Sequence, residues 1–126
     1  VSAAAVLHQA AMAQLAPLGR VFEATPTRAA LPYLVVEDPV LGAGDAAGVS
    51  GRTGSITVLC TDGGVSLARV RALLGEVEAA MAQLPVDPGS GWRVTALRLT
   101  RSQLQLGKGE RWIASATFAV RMYRVN

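Results

Sequence analysis

The side chains in this sequence that could do covalent or metal chemistry are few and scattered. His8 is the one histidine and Cys60 the one cysteine. A nucleophile needs a base within hydrogen-bond reach and a third group to orient that base. His8 follows Leu7 in a segment of helical apolar spacing, and no motif pairs it with Cys60 or a serine. It reads as a histidine at the boundary of a helix face. Cys60 shares a strand parity with Ile56 and Val58 and reads as a small core residue. A single thiol makes no internal disulfide and no thiolate metal site, which suits a reducing compartment.

The carboxylates form no working pair. Glu37 and Asp38 are adjacent and would leave a strand on opposite faces. Glu76 and Glu78 diverge on a helix, and Asp62 before Gly63-Gly64 is turn chemistry. A metal held by Asp38, Asp45 and Asp62 would need the intervening segment to fold around it. Gly51-Arg52-Thr53 faintly resembles the end of a phosphate-binding loop. However, Ala46 stands where the first glycine belongs, Arg52 replaces the lysine, and a strand follows where a helix is required. No catalytic group, cofactor or metal is expected, so function is sought in assembly.

The elements that frame these residues can be read in order. A helix is expected over about Ser2 to Ala16, with Leu7, Ala11, Leu15 and Leu18 on one face and Pro17 and Gly19 ending it. Val1 to Leu15 lacks a basic leader and is interrupted by His8, Gln9 and Gln14, so it reads as part of the fold rather than a secretory signal. Val21-Phe22 is a short strand, Thr25 to Pro32 a connector, and Tyr33 to Glu37 a strand. Pro39 to Thr53, with Gly42, Gly44, Gly48 and Gly51, is expected to be a long loop of the functional or disordered kind. Gly54 to Thr61 is a strand and Asp62-Gly63-Gly64 a turn. Ser66 can cap a second helix, Leu67 to Leu84, whose apolar stripe is Val70, Leu73, Leu74, Val77, Ala80, Met81 and Leu84. Pro85 stops it.

Trp92 to Asn126 then forms two long strands joined at Gly107-Lys108-Gly109. The second strand alternates cleanly: Trp112, Ala114, Ala116, Phe118, Val120 and Met122 on one face; Ile113, Ser115, Thr117, Ala119, Arg121 and Tyr123 on the other. Its length is about twice the usual five to six residues. In the first strand, Val94 and Ala96 share one parity, Leu97 and Leu99 the other, and Leu104 and Leu106 return to the first. Two parity changes predict bulges or a bend. The reading is one α+β domain over residues 1–126: a mainly antiparallel sheet with a long C-terminal hairpin and two helices packed on one face.

The chain is 51% hydrophobic, enough to bury a core without disulfides and suggestive of apolar surface that a partner covers. Its apolar runs fall well short of the roughly 18 residues a membrane span needs. The net charge of +3 is unevenly spread. Residues 1–91 carry five basic and eight acidic side chains; residues 92–126 carry seven basic and one acidic, Glu110. The arginines Arg93, Arg98, Arg101, Arg111, Arg121 and Arg124 lack the interleaved aromatic platform usual in single-strand binders. A basic α+β nucleic-acid-binding module is therefore the second reading. Trp92 and Trp112 read as core and sheet packing before partner hot spots.

In layout the chain resembles the phage tail-completion or tail terminator proteins, including those of gene transfer agents. The likeness is carried by Val6-Leu7-His8-Gln9-Ala10-Ala11 running on to Leu15-Ala16-Pro17-Leu18-Gly19-Arg20-Val21-Phe22, and by Ala30-Leu31-Pro32-Tyr33-Leu34-Val35-Val36. It continues through the strand, glycine turn and amphipathic helix of Gly54 to Leu84, and the hairpin ending in Ala116-Thr117-Phe118-Ala119-Val120-Arg121. The chain departs from the family's pattern at Val49-Ser50-Gly51-Arg52-Thr53, where an Asp-Gly and a histidine are common.

The resemblance implies a structural virion protein without chemistry. Its expected form is a homohexameric ring that caps the head-proximal end of the tail tube and ends tube polymerisation. It would meet the tail tube protein and the head–tail connector or stopper, and pass DNA through its bore. It would be assembled in the bacterial cytoplasm and located in the virion neck. Another neck component, a stopper or minor tail protein, is a nearby alternative. On this reading Leu104, Leu106, Trp112, Phe118 and Tyr123 build the core and the subunit interface. Val40, Leu41, Gly42, Gly44, Asp45, Gly48 and Arg52 belong to a docking loop that orders against a partner.

Overall fold

The computed structural model describes residues 2–125; Val1, ahead of the expected first helix, and Asn126, the last residue of the expected hairpin, lie outside them. The elements are α1 (Ala3–Leu15), a 3-10 turn at Ala16–Leu18, β1 (Val21–Phe22), β2 (Tyr33–Val36), β3 (Val40–Ala43), β4 (Val49–Gly63), α2 (Ala68–Ala82), β5 (Arg93–Leu106) and β6 (Arg111–Val125). The strand order is β1-β2-β4-β6-β5, with β3 beside the first part of β4. Among the described residues only β1 and β2 pair in parallel. The expected α+β class, the long hairpin and the two helices are all present.

Both helices contribute to one core. Ser2 starts α1 by accepting a bond from the Ala5 N–H at 3.1 Å, a cap that satisfies one of the free donors of the first turn. The buried face of α1 is Ala3, Val6, Leu7, Ala11 and Leu15; that of α2 is Val70, Leu73, Val77 and Met81. They meet Leu34 and Val36 of β2, Ile56, Val58 and Cys60 of β4, and Ala114, Ala116, Phe118, Val120 and Met122 of β6. Each fully buried leucine or phenylalanine here is worth about 1.5–3 kcal/mol over exposure. The small residues Ala114 and Ala116 sit opposite Cys60 and Val58, where they leave room for the helices to approach the sheet.

The parity breaks of β5 are bulges. Register shifts fall between Val94 and Ala96 and between Leu99 and Arg101, so Thr95 and Thr100 are the extra residues. Each threonine hydroxyl donates to a β6 carbonyl, Thr95 to Arg121 at 3.3 Å and Thr100 to Thr117 at 3.1 Å. The first bulge turns Leu97 to the face of Val120 and sends Arg98 to the far face, opposite Ala119. The second returns Leu104 and Leu106 to the face of Ala114 and Trp112.

The expected loop at Pro39 to Thr53 is a correction. It is a hairpin, with β3 paired to β4 from Val40↔Ser55 to Ala43↔Arg52, and a turn closed by mutual Ala46–Val49 backbone bonds. Its glycines mark close backbone approach rather than freedom. A Cβ on Gly51 would stand 2.1 Å from the Gly44 carbonyl oxygen, and one on Gly54 would meet the Val40 carbonyl oxygen more closely still. These are strand positions where another backbone comes too near for a side chain. Gly48, at φ +73°, is the one that the turn itself requires.

Candidate functional site

The groups that could have done chemistry are spent on structure. His8 is buried and its Nε2 lies 2.8 Å from the Val36 carbonyl, fastening α1 to β2. Cys60 is fully buried, and burial, with a smaller contribution from Glu78, pushes its thiol up to about 12. A thiol so reluctant to ionise is a packing group. Asp62 is 1% exposed and takes two bonds of 2.5 Å from Arg69, one from Nε and one from a terminal nitrogen. Those bonds hold its carboxyl below the ordinary range, and the fork clamps the end of β4 to the start of α2. Among the described residues no three His, Cys, Asp or Glu side chains gather as a metal site, and no helix is long and apolar enough to cross a membrane.

What remains is surface. β5 is a border of the sheet: β6 is its one neighbour among the described residues, so its outer side offers a row of unpaired backbone groups. The strand is 14 residues long and almost wholly exposed. It carries Arg93, Arg98 and Arg101, and its two bulges twist it. Charge and bulges of this kind discourage indiscriminate pairing while leaving the edge open to a matched partner. At the opposite border, exposed Glu23, Glu37 and Asp38 lie at the ends of β1 and β2, with Arg20 also present.

The residues singled out from the sequence occupy different places. Leu104, Leu106 and Trp112 share the helix-side face near the hairpin tip. Leu106 is 65% exposed and lines a groove of about 350 Å³ with Gly64, Val65, Glu110 and Trp112. The Trp112 indole N–H donates to the Gly64 carbonyl at 3.0 Å, which fixes the groove wall. Phe118 is 2% exposed and packed in the subunit's own core, so of the two roles expected for this set it fills the core one. Tyr123 lies on the other face, beside Gly51. In the β3–β4 hairpin, Val40 is exposed, Leu41 packs against the core, and Gly42 and Gly44 lie along β3 and at its end. Asp45 accepts from the Gly51 N–H at 2.7 Å and faces Arg52 at 3.5 Å.

A further cluster was missed in the sequence. Arg52 and Arg124 both lie over the ring of Trp92, 5.7 and 4.9 Å from its centroid. They come from β4 and β6, and only the register Arg52↔Met122 and Ser50↔Arg124 brings them together. The common parity of Trp112 and Arg124 was the sole available hint.

A shared sheet-and-helix core, with His8, Cys60 and Asp62 engaged in the fold, and a long open edge make surfaces the feature to compare. The chain belongs to the family of tail completion protein gp17, which matches residues 3–123. It is accordingly a structural tail-completion protein and not an enzyme. Among solved structures, a chain in the "Virion of native gene transfer agent (GTA) particle" is similar over 98% of this chain and 99% of its own length, with a TM-score of 0.82 at 17% identity. That likeness is one of fold. Among curated proteins none matches the chain.

Proposed function

We propose that this protein is the tail terminator of a phage-like particle. Copies join head to tail into a hexameric ring at the head-proximal end of the tail tube, stop tube polymerisation, and present a surface to the head–tail connector or stopper. The bore passes DNA without holding it. The ring assembles in the bacterial cytoplasm and stays in the virion neck; the fold shared with a chain of a gene transfer agent virion supports the virion location alone.

The observation that carries this reading is the open side of β5. A 14-residue strand with one paired side gains backbone hydrogen bonds when a neighbouring copy extends the sheet. The two borders differ in residue content and charge, so contact between them is heterologous, and such contacts close into rings when the rotation allows. Arg93, Arg98 and Arg101 on one border and Glu23, Glu37 and Asp38 on the other favour that orientation.

Light scattering and negative-stain imaging of the purified chain, alone and on isolated tail tubes, test it. Six copies in a ring at one tube end are expected. The double variant Arg98→Glu/Arg101→Glu should remain folded and lose the ring. A wild-type chain that stays monomeric on tubes, or one that binds along their sides, would overturn the reading.

A further inference from the structure

We infer that the recess around Trp92 is a carboxylate-binding site, which takes an acidic side chain from a protein stacked on the strand-end side of the assembled ring. The recess, about 240 Å³, is lined by Ser2, Ala3, Ala4, Leu41, Arg52, Trp92 and Arg124. Three features of its wall favour an anion. Arg52 and Arg124 bring two guanidiniums within 6 Å of one indole centroid. Arg124 has no carboxylate within salt-bridge distance among the described residues, and Arg52 has only Asp45, at 3.5 Å with both side chains partly in solvent. The start of α1 lines the same recess, and no acidic residue stands in its first turn to answer the positive end of the helix.

Planar guanidiniums match the two oxygens of a carboxylate. Two of them over an aromatic ring hold their positions through cation–π attraction before any ligand arrives. Position decides which partner reaches the site. The recess lies between Leu41 of β3, the beginning of β4, the end of β6 and the residue preceding β5, at the end of the sheet where these strands start or finish. The placement on a ring rests on the terminator reading; the recess chemistry stands without it.

The test uses full-length protein labelled with 5-fluorotryptophan, whose two fluorine signals report Trp92 and Trp112, assigned with Trp112→Phe. Hexaglutamate should move the Trp92 signal and leave Trp112, already bonded to Gly64, in place. Arg124→Gln should weaken that response at least tenfold, and Arg52→Gln less, because Asp45 already partly answers Arg52. In particles, Arg52→Gln/Arg124→Gln should give rings of wild-type size with at least tenfold less capture of tubes or connectors. No movement of Trp92 with hexaglutamate overturns the site. So does an equal or larger movement with a short DNA duplex at matched charge, or normal particle joining in the double variant. If the wild type forms no ring while hexaglutamate still moves Trp92, the terminator reading fails and the site survives.

Discussion

β5 and β6 run antiparallel in one sheet, with similar lengths and nearly continuous pairing, yet they live in different environments. β6 lies between two strands and beneath the helices, and every second residue from Ala114 to Met122 is buried. On β5 only Val94 is buried, and the rest is half or fully exposed. Phe118 and Leu99 face each other across the pair, one at 2% exposure and the other at 42%. Hydrophobic content does not separate them. Position does: a central strand is covered on its inner face and paired on both sides, whereas a border strand has lost one neighbour and most of its cover. An apolar residue kept at such a border is a candidate for contact with something outside the chain.

The largest expected effect comes from testing that opposed pair. Phe118→Ala removes a buried ring from the centre of the core and should cost about 3–5 kcal/mol of unfolding free energy. Leu99→Ala should cost under about 1 kcal/mol, since much of its surface is already in water. Urea titrations of both variants read the contrast directly. Equal losses would mean that β5 is as much a part of the core as β6, and the distinction would fail.

A second, smaller effect probes the other side of β4. Gly54→Ala places a methyl against the Val40 backbone oxygen, a clash that backbone cannot easily relieve. It should cost about 1–3 kcal/mol as an overpacking change and free β3 from the sheet. Hydrogen exchange over residues 40–46 should rise while β5 and β6 stay protected. Unchanged exchange there would show that β3 is held by something other than its pairing with β4.

That segment also marks where sequence reading ran out. Periodicity carried most of the fold: the 3.6-residue stripe of α2, the alternation of β6 and even the two bulges of β5 were visible, because each is written in which side chains must face the core. β3 left no such trace. Val40 points into solvent, and its neighbours on the strand are Leu41, Gly42 and Ala43, so burial imposes no pattern. Glycine has two physical uses, freedom and close approach, and composition alone does not distinguish them. The Arg52–Trp92–Arg124 cluster was hidden for another reason. Its members are joined by strand register across long sequence separations, and single-residue parity says nothing of which strands become neighbours. Leu104, Leu106 and Trp112 were legible as a group because they sit on one hairpin, whose register its own turn sets.

The smallest expected effect on stability sharpens the comparison most. Leu106 lies on the core-side face of β5, yet it is 65% exposed beside Val65, which is fully exposed, and Trp112. Leu106→Ser should change unfolding free energy by less than about 0.5 kcal/mol, as for a surface site making few contacts. If the hairpin tip serves the subunit alone, nothing else should change. If it serves assembly, the same variant should shift the concentration at which copies associate several-fold, because an apolar side chain covered by a neighbour contributes to binding what it never contributed to folding. Stability and assembly measured on one protein therefore separate the two uses of an apolar residue. An unchanged assembly midpoint would leave Leu106 outside any contact between copies.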